Sequence, residues 1–356
     1  MSTKTINFQV EKIAESKVNT IDWDNLPFGK VFSDHMLEMD YVDGEWQEPV
    51  IRPFQNLEMH PATSVIHYGQ SIFEGLKAYR KEDGSVSIFR PDMNGKRFAE
   101  SSKRMCMPEL SPELFTELVA KLVEIDDAWV PKKEGYSLYI RPFLFAMDDY
   151  IGIKPSDSYK FMIFTCPVGA YYAQPLSVKI EEKYTRAAEG GVGRAKTAGN
   201  YAASLYPALL GQKEGYHQLV WTDAKEHKYI EESGTMNIMF MIDDVLVTPS
   251  EDSDTILRGI TKRSVVELAN EWGVKVEERK VTVEEIVTAC KEGRVTEAFG
   301  AGTAATIAPI KTIGFRGEDF ELPAVETREF SQKVYNYLND LKIGKVEDKN
   351  NWVFNV

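Results

Sequence analysis

Gly190-Gly-Val-Gly-Arg-Ala-Lys-Thr-Ala-Gly-Asn-Tyr201 is the stretch on whose reading the fold turns. Four glycines and two alanines surround one lysine, so backbone can approach a ligand closely while a single amine points at it. Three readings of Lys196 compete. Gly190 to Thr197 fits the phosphate-cradling pattern G-x-x-x-x-G-K-[ST] at every place but one, where Ala195 stands for the last glycine. A lysine desolvated among small residues also suits condensation with a carbonyl cofactor, because its pKa can fall well below the free value of about 10.4. The plain alternative is a surface lysine in a flexible loop.

The bulk numbers narrow the field. A chain of 356 residues suggests two domains, and 43% hydrophobic with 27% charged residues is ordinary globular composition. A net charge of −13 disfavours nucleic acid and anionic membrane surfaces as partners, while leaving room for a local basic pocket. The three cysteines, Cys106, Cys166 and Cys290, are odd in number and far apart, which argues against a disulfide framework. The first twenty residues lack the apolar core of a signal peptide, and no run approaches 18 apolar residues, so a cytoplasmic protein is expected. His60 and His67 are the only near pair among five histidines, and no metal site is expected.

Along the chain, Val31 to Asp40 and Glu45 to Ile51 read as strands across an Asp43-Gly44 hairpin turn, and a second hairpin turns at Asp83-Gly84. A helix runs from Pro91 towards Pro108, and Ser111-Pro112 caps another. Tyr136 to Met147 and Tyr159 to Thr165 read as buried strands. Residues 1–166 then form a smaller N-terminal α/β domain, 167–176 a connection containing Tyr171-Tyr172, and 177–356 a larger C-terminal domain. In that domain a helix is expected from Tyr201 to Gly215, and strands at 218–222, 235–242 and 245–248, the last two joined by Asp243-Asp244. A helix follows from Ile260 to Trp272, then a strand from Val274 to Val281. Thr282 with Glu285 makes a capping box, and a helix from Glu326 to Leu341 precedes the tail.

Context weakens two nucleotide readings. A Walker loop leaves a buried strand, whereas Glu181 to Glu189 has no apolar run, and the Asp243-Asp244 pair that imitates a magnesium-binding aspartate sits in a turn. Gly300-x-Gly302-x-x-Ala305 imitates a dinucleotide fingerprint, but Pro309 makes the next segment a strand rather than a helix. What remains is a central lysine, a second glycine cluster with the Thr303 hydroxyl, a helix start at Gly259-Ile-Thr261, and the acidic segment Glu231-Glu-Ser-Gly-Thr235. A lysine amine, a phosphate clamp and a buried carboxylate are the parts a pyridoxal phosphate site needs. Taken alone, Glu232 could equally be a solvated loop acid.

Seven segments, in this order and spacing, resemble the branched-chain amino acid aminotransferases of the fold type IV pyridoxal-phosphate enzymes: Phe28 to Met36, Phe73-Glu-Gly-Leu-Lys-Ala78, Phe89-Arg-Pro91, Tyr139-Ile-Arg-Pro142, Arg186 with Gly190 to Tyr201, Glu232 to Asn237, and Phe299-Gly-Ala-Gly-Thr-Ala304. The resemblance implies an α/β (α+β) two-domain fold with the cofactor between the domains. It makes Lys196 the Schiff-base lysine, Tyr201 the partner of the cofactor's phenolic oxygen and Glu232 the partner of its ring nitrogen. Arg97, Ile260, Thr261 and Thr303 would hold the phosphate, with Arg186 nearby. Phe28, Phe73, Tyr139 and Ile153 would surround an aliphatic side chain, Tyr68 and Ile153 being lent by a second subunit of a homodimer. Arg141 with Tyr68 would accept glutamate's distal carboxylate, Thr303 and Ala304 amides would face the α-carboxylate, and Thr235 would line the pocket. The implied reaction is ping-pong transamination of leucine, isoleucine or valine with 2-oxoglutarate. D-amino acid aminotransferases and aminodeoxychorismate lyases of the same fold are the near alternatives, and a P-loop protein the distant one. Ala305 and Ala308 stand where mammalian members carry a cysteine pair, so no thiol switch is expected there.

Overall fold

A computed structural model describes residues 6–169 and 174–356. The chain forms two compact units, one of Met1–Tyr171, Ala195–Ala198 and Asn339–Val356, the other of Tyr172–Arg194 and Gly199–Leu338. Residues 195–198 and the last eighteen thus group with the first unit, although the sequence reading placed 177–356 in one domain. Of the expected connection, Pro167 and Val168 end a strand and Leu176 opens one, while 170–173, with Tyr171-Tyr172, lie outside the described residues.

The first unit is built on a sheet whose order, among the described residues, is Gln9–Val10, Val50–Pro53, His35–Val42, Tyr159–Val168, Ser137–Ala146, Leu76–Arg80, Val86–Phe89, Val353–Asn355. Ser71–Phe73 adds to Ser137–Ala146. The aromatic runs expected at 136–147 and 159–165 are its two central strands, because a strand buried on both faces needs apolar residues throughout. The helices Pro91–Arg104 and Pro112–Ile125 pack against it, Phe98 meeting Phe115 and Phe161 at ring separations of 5.2 and 5.5 Å. Ser111 caps the second helix by accepting from Leu114 N at 3.1 Å, as its sequence promised. Asp43 (φ 54°) and Gly44 (φ 81°) are both left-handed, the turn that matches strand twist.

The second unit closes on itself. Met236–Ile242 pairs with Val295–Gly302, then follow Thr306–Phe315, Leu176–Ile180, Gln218–Thr222 and Tyr229–Ser233, and the last returns to Met236–Ile242. Alternate residues Met236, Ile238, Phe240 and Ile242 join Val178, Ala308 and Ile310 in one buried core. The register that shuts this ring is Glu232 opposite Asn237 and Ser233 opposite Met236. The helices Ile260–Glu271 and Val283–Lys291 flank Val295–Gly302.

Several expectations needed correction. Tyr229–Ser233 is a strand, although Tyr-Ile-Glu-Glu-Ser carries no apolar alternation. The final helix begins at Phe330, four residues after Glu326, because a short 3-10 turn at Val325–Thr327 and the buried Arg328 intervene. The helix expected from Tyr201 starts at Ala198, and the strand expected over 274–281 is interrupted at Lys280. Among the described residues no helix is long and apolar enough to cross a membrane.

Candidate active site

In the first unit the lysine of the glycine-rich stretch is pinned by its backbone. Phe73 N donates to Lys196 O at 3.0 Å, Lys196 N donates to Ser101 Oγ at 3.0 Å, and Thr197 Oγ1 donates to Ser71 O at 2.7 Å. Residues 196–197 therefore run beside Ser71–Phe73 as a fixed segment, which excludes the reading of a lysine in a flexible surface loop. Lys196 Nζ stands 4.9 Å from the centre of the Phe73 ring. The guanidinium of Arg141 lies 4.7 Å from that ring's centre, and its Nη2 donates to Tyr139 Oη at 2.9 Å. Phe28 meets Tyr139 edge-on at 5.3 Å. Five sequence-chosen residues, Lys196, Phe73, Arg141, Tyr139 and Phe28, thus form one contiguous cluster. Arg141 Nε is buried without a hydrogen-bond partner among the described residues, an orphan donor suited to an incoming carboxylate. Gly75 makes room for this arrangement, since a Cβ there would collide with Tyr139 Oη.

Arg97 is held by a residue that the sequence reading gave no role. Its Nε and Nη2 donate to the two oxygens of Glu74, each at 2.7 Å, and Asn94 Nδ2 adds a third bond at 2.7 Å. Glu74 is fully buried. Burial pushes its carboxyl upward, but the charge and hydrogen bonds of Arg97, with Lys196 and Asn94, hold it below the usual carboxylate range.

In the second unit Glu232 is 4% exposed on the strand Tyr229–Ser233, not a solvated loop acid. Its Oε1 accepts from Leu257 N at 3.1 Å and Asn237 Nδ2 at 3.2 Å, and Oε2 lies 2.8 Å from Arg186 Nε. Arg186 thereby stands with Glu232, and its Nη2 donates to Thr255 O. Arg186, Tyr201, Glu232 and Thr235 line one small pocket together with Asn200 and Leu257. Two glycines are required here. A Cβ on Gly193 would lie 2.6 Å from Thr255 O, and one on Gly259 would overlap Asn237 Oδ1. Ile260 and Thr261 are buried in the first turn of Ile260–Glu271, whose N-cap Gly259 has no side chain to satisfy the leading amides. Thr303 and Ala304 are half-buried in the turn between Val295–Gly302 and Thr306–Phe315.

Tyr68 (42% exposed) and Ile153 (94% exposed) stand out in solvent. Sequence reading gave no function to Glu74, Ser101, Asn237 and Thr255, which hold the residues it did choose. Glu74 and Asn237 carried a signal, since both lie inside segments already singled out. Ser101 and Thr255 carried none.

The amino-transferase class IV family model matches residues 71–313. Branched-chain-amino-acid transaminase 1 of Bacillus subtilis (strain 168) is 45% identical over 340 residues, covering 94% of this chain and 95% of the relative. The branched-chain amino acid aminotransferase from Escherichia coli is 25% identical with a TM-score of 0.72, covering 90% of this chain and 98% of the other. The crystal structure of branched-chain amino acid aminotransferase from Thermobaculum terrenum in its PLP-form shares the fold at 21% identity and a TM-score of 0.71, covering 90% and 98%. The chain belongs to the class IV aminotransferases, in the branch whose relatives are branched-chain-amino-acid transaminases.

Proposed function

We propose that the protein transfers the amino group of leucine, isoleucine or valine to 2-oxoglutarate, with pyridoxal 5'-phosphate as cofactor. The observation that carries this reading is the seating of Lys196 on Phe73 beside Arg141, Tyr139 and Phe28. The donor set fits the cofactor, with one amine, a buried carboxylate paired to an arginine, and leading helix amides that no side chain caps. When bound, pyridoxal phosphate supplies an aldehyde that condenses with amines and a pyridinium ring that takes up the electrons of the substrate's Cα–H bond.

The chain's own residues would do the rest. Lys196 holds the cofactor and, once released, carries the proton from the substrate α-carbon. Glu232, fixed by Leu257, Asn237 and Arg186, keeps the proton on the ring nitrogen. Tyr201 donates to the phenolic oxygen. Arg97, held by Glu74, would meet the phosphate, as would the amides of Ile260 and Thr261 and the Thr303 hydroxyl. The apolar walls accept a branched side chain, and Arg141 with its orphan Nε accepts the second carboxylate of glutamate. Thr303 and Ala304 amides meet the α-carboxylate, and Thr235 borders the site.

The exposed apolar side chains Leu57, Ile66, Tyr68, Tyr150, Ile151 and Ile153 support a homodimer in which Tyr68 and Ile153 complete the neighbour's pocket. The free thiols Cys106, Cys166 and Cys290 support a cytoplasmic location. Purified protein incubated with pyridoxal phosphate should turn yellow, take a borohydride label on Lys196, and form glutamate from leucine plus 2-oxoglutarate. Turnover of D-alanine in place of leucine, or no label on Lys196, would sink the reading.

A further inference from the structure

The strand that carries Glu232 is irregular. Trp221 faces Glu232 while Thr222 faces Ile230, so Glu231 is the extra residue of a β-bulge, a device that re-aims a side chain. Here the bulge turns the Glu231 side chain inward, to 6% exposure. Its Oε1 accepts from Thr255 Oγ1 at 2.5 Å, and its Oε2 is buried with no hydrogen-bond partner among the described residues. Thr255 is the link to the site. Its carbonyl accepts from Arg186 Nη2, and Arg186 Nε lies 2.8 Å from Glu232 Oε2. Ser253 hydrogen-bonds the same threonine at its hydroxyl and amide, and Gly193 packs on its backbone, so Thr255 has little freedom to move without Arg186.

If Glu231 served only to tie down Thr255, an amide oxygen could accept the same hydroxyl without the cost of burying an ionisable carboxyl. We propose that Glu231 is a positioning residue for Glu232. Through Thr255 it holds Arg186 against the Glu232 carboxylate. The inference rests on the aminotransferase reading, in which Glu232 meets the ring nitrogen. Charged groups that act on Glu231 include Arg186, Glu232 and Asp223. Burial, aided by the charges of Glu232 and Asp223, raises the Glu231 carboxyl to about 6 against the pull of Thr255 and Arg186. A protonated Glu231 is neutral beside Arg186 and Glu232, whereas an ionised one adds a second negative charge next to them.

The test compares wild type with Glu231→Ala, Glu231→Gln, Thr255→Val and the Ala/Val double variant. Cofactor-free crystal structures come first. Arg186 should stay on Glu232 in wild type and Glu231→Gln, and leave it in Glu231→Ala. In the loaded enzyme Glu231→Ala should lower kcat for leucine about tenfold with KM within about twofold. Glu231→Gln should restore kcat near pH 6 and remove the wild-type pH dependence around that value. The double variant should lose no more than either single one. An unmoved Arg186 in Glu231→Ala, or additive losses, would overturn the proposal. Should the alanine variant not fold, an unchanged pH profile in Glu231→Gln overturns it and a flattened one supports it. A wild type that takes up no pyridoxal phosphate would sink the function reading instead, while the cofactor-free structures still decide where Glu231 places Arg186.

Discussion

Glu74 and Glu231 show two fates of a buried carboxyl. Glu74 is matched on both oxygens by Arg97 and Asn94, so its removal strands a buried guanidinium. Glu74→Gln should cost about 3–5 kcal/mol of stability by urea unfolding. Loss below about 1 kcal/mol would mean that Arg97 does not depend on the pair. Glu231 behaves in the opposite sense, because burial raises its carboxyl to about 6 from the ordinary 4.5. The folded state then binds the proton more tightly than the unfolded state, so stability falls as pH rises from about 4.5 to about 6 and stays lower above. Glu231→Gln should remove that slope and be about 1–2 kcal/mol more stable than wild type at pH 7, relative to the difference at pH 4. Thermal unfolding of the cofactor-free protein across this range measures it. At this scale the candidate residues stood out because lysine, glutamate and glycine sit in dense, unusual runs. Their supports did not, since Ser101 and Thr255 become neighbours of Lys196 and Arg186 only through tertiary packing.

Local signals were most reliable where a side chain completes the backbone's own hydrogen bonding. Thr282 accepts from Glu285 N at 3.0 Å, as a capping box requires. Only half the box forms, because the Glu285 carboxylate turns to Arg279, at 2.6 and 2.9 Å, across the strand–helix junction. Thr282→Ala should therefore cost about 1 kcal/mol, measurable as a shift of a few degrees in melting temperature, with no change in kcat. The turns at Asp43-Gly44 and Asp243-Asp244 were equally readable, all four residues having positive φ. The strand Tyr229–Ser233 was not, because its burial comes from the ring around it rather than from its own residues.

For the molecule as a whole, composition and length gave two units, but not that the C-terminal residues return to the first. Val353–Asn355 pairs with Val86–Phe89, more than 260 positions earlier, and such pairing leaves no local mark in sequence. Among the described residues Ile153 is the most exposed of the large apolar side chains, at 94%, which suits it to the proposed homodimer interface. Ile153→Asp should shift the protein towards monomer by sedimentation and raise KM for leucine several-fold, while the isolated chain keeps its melting temperature within about 2 °C. A dimer of unchanged strength with unchanged KM would remove Ile153 from the interface and from the pocket.

The pairing of Glu232 with Asn237 fastens the second unit's strands into a loop without ends, and the same acid is the one assigned to the chemistry. Foldability and reactivity are therefore tied to one rung of the ladder. A substitution at either position removes at once the side-chain bond across the closing strands and one anchor of that acid, so neither can be altered there without the other.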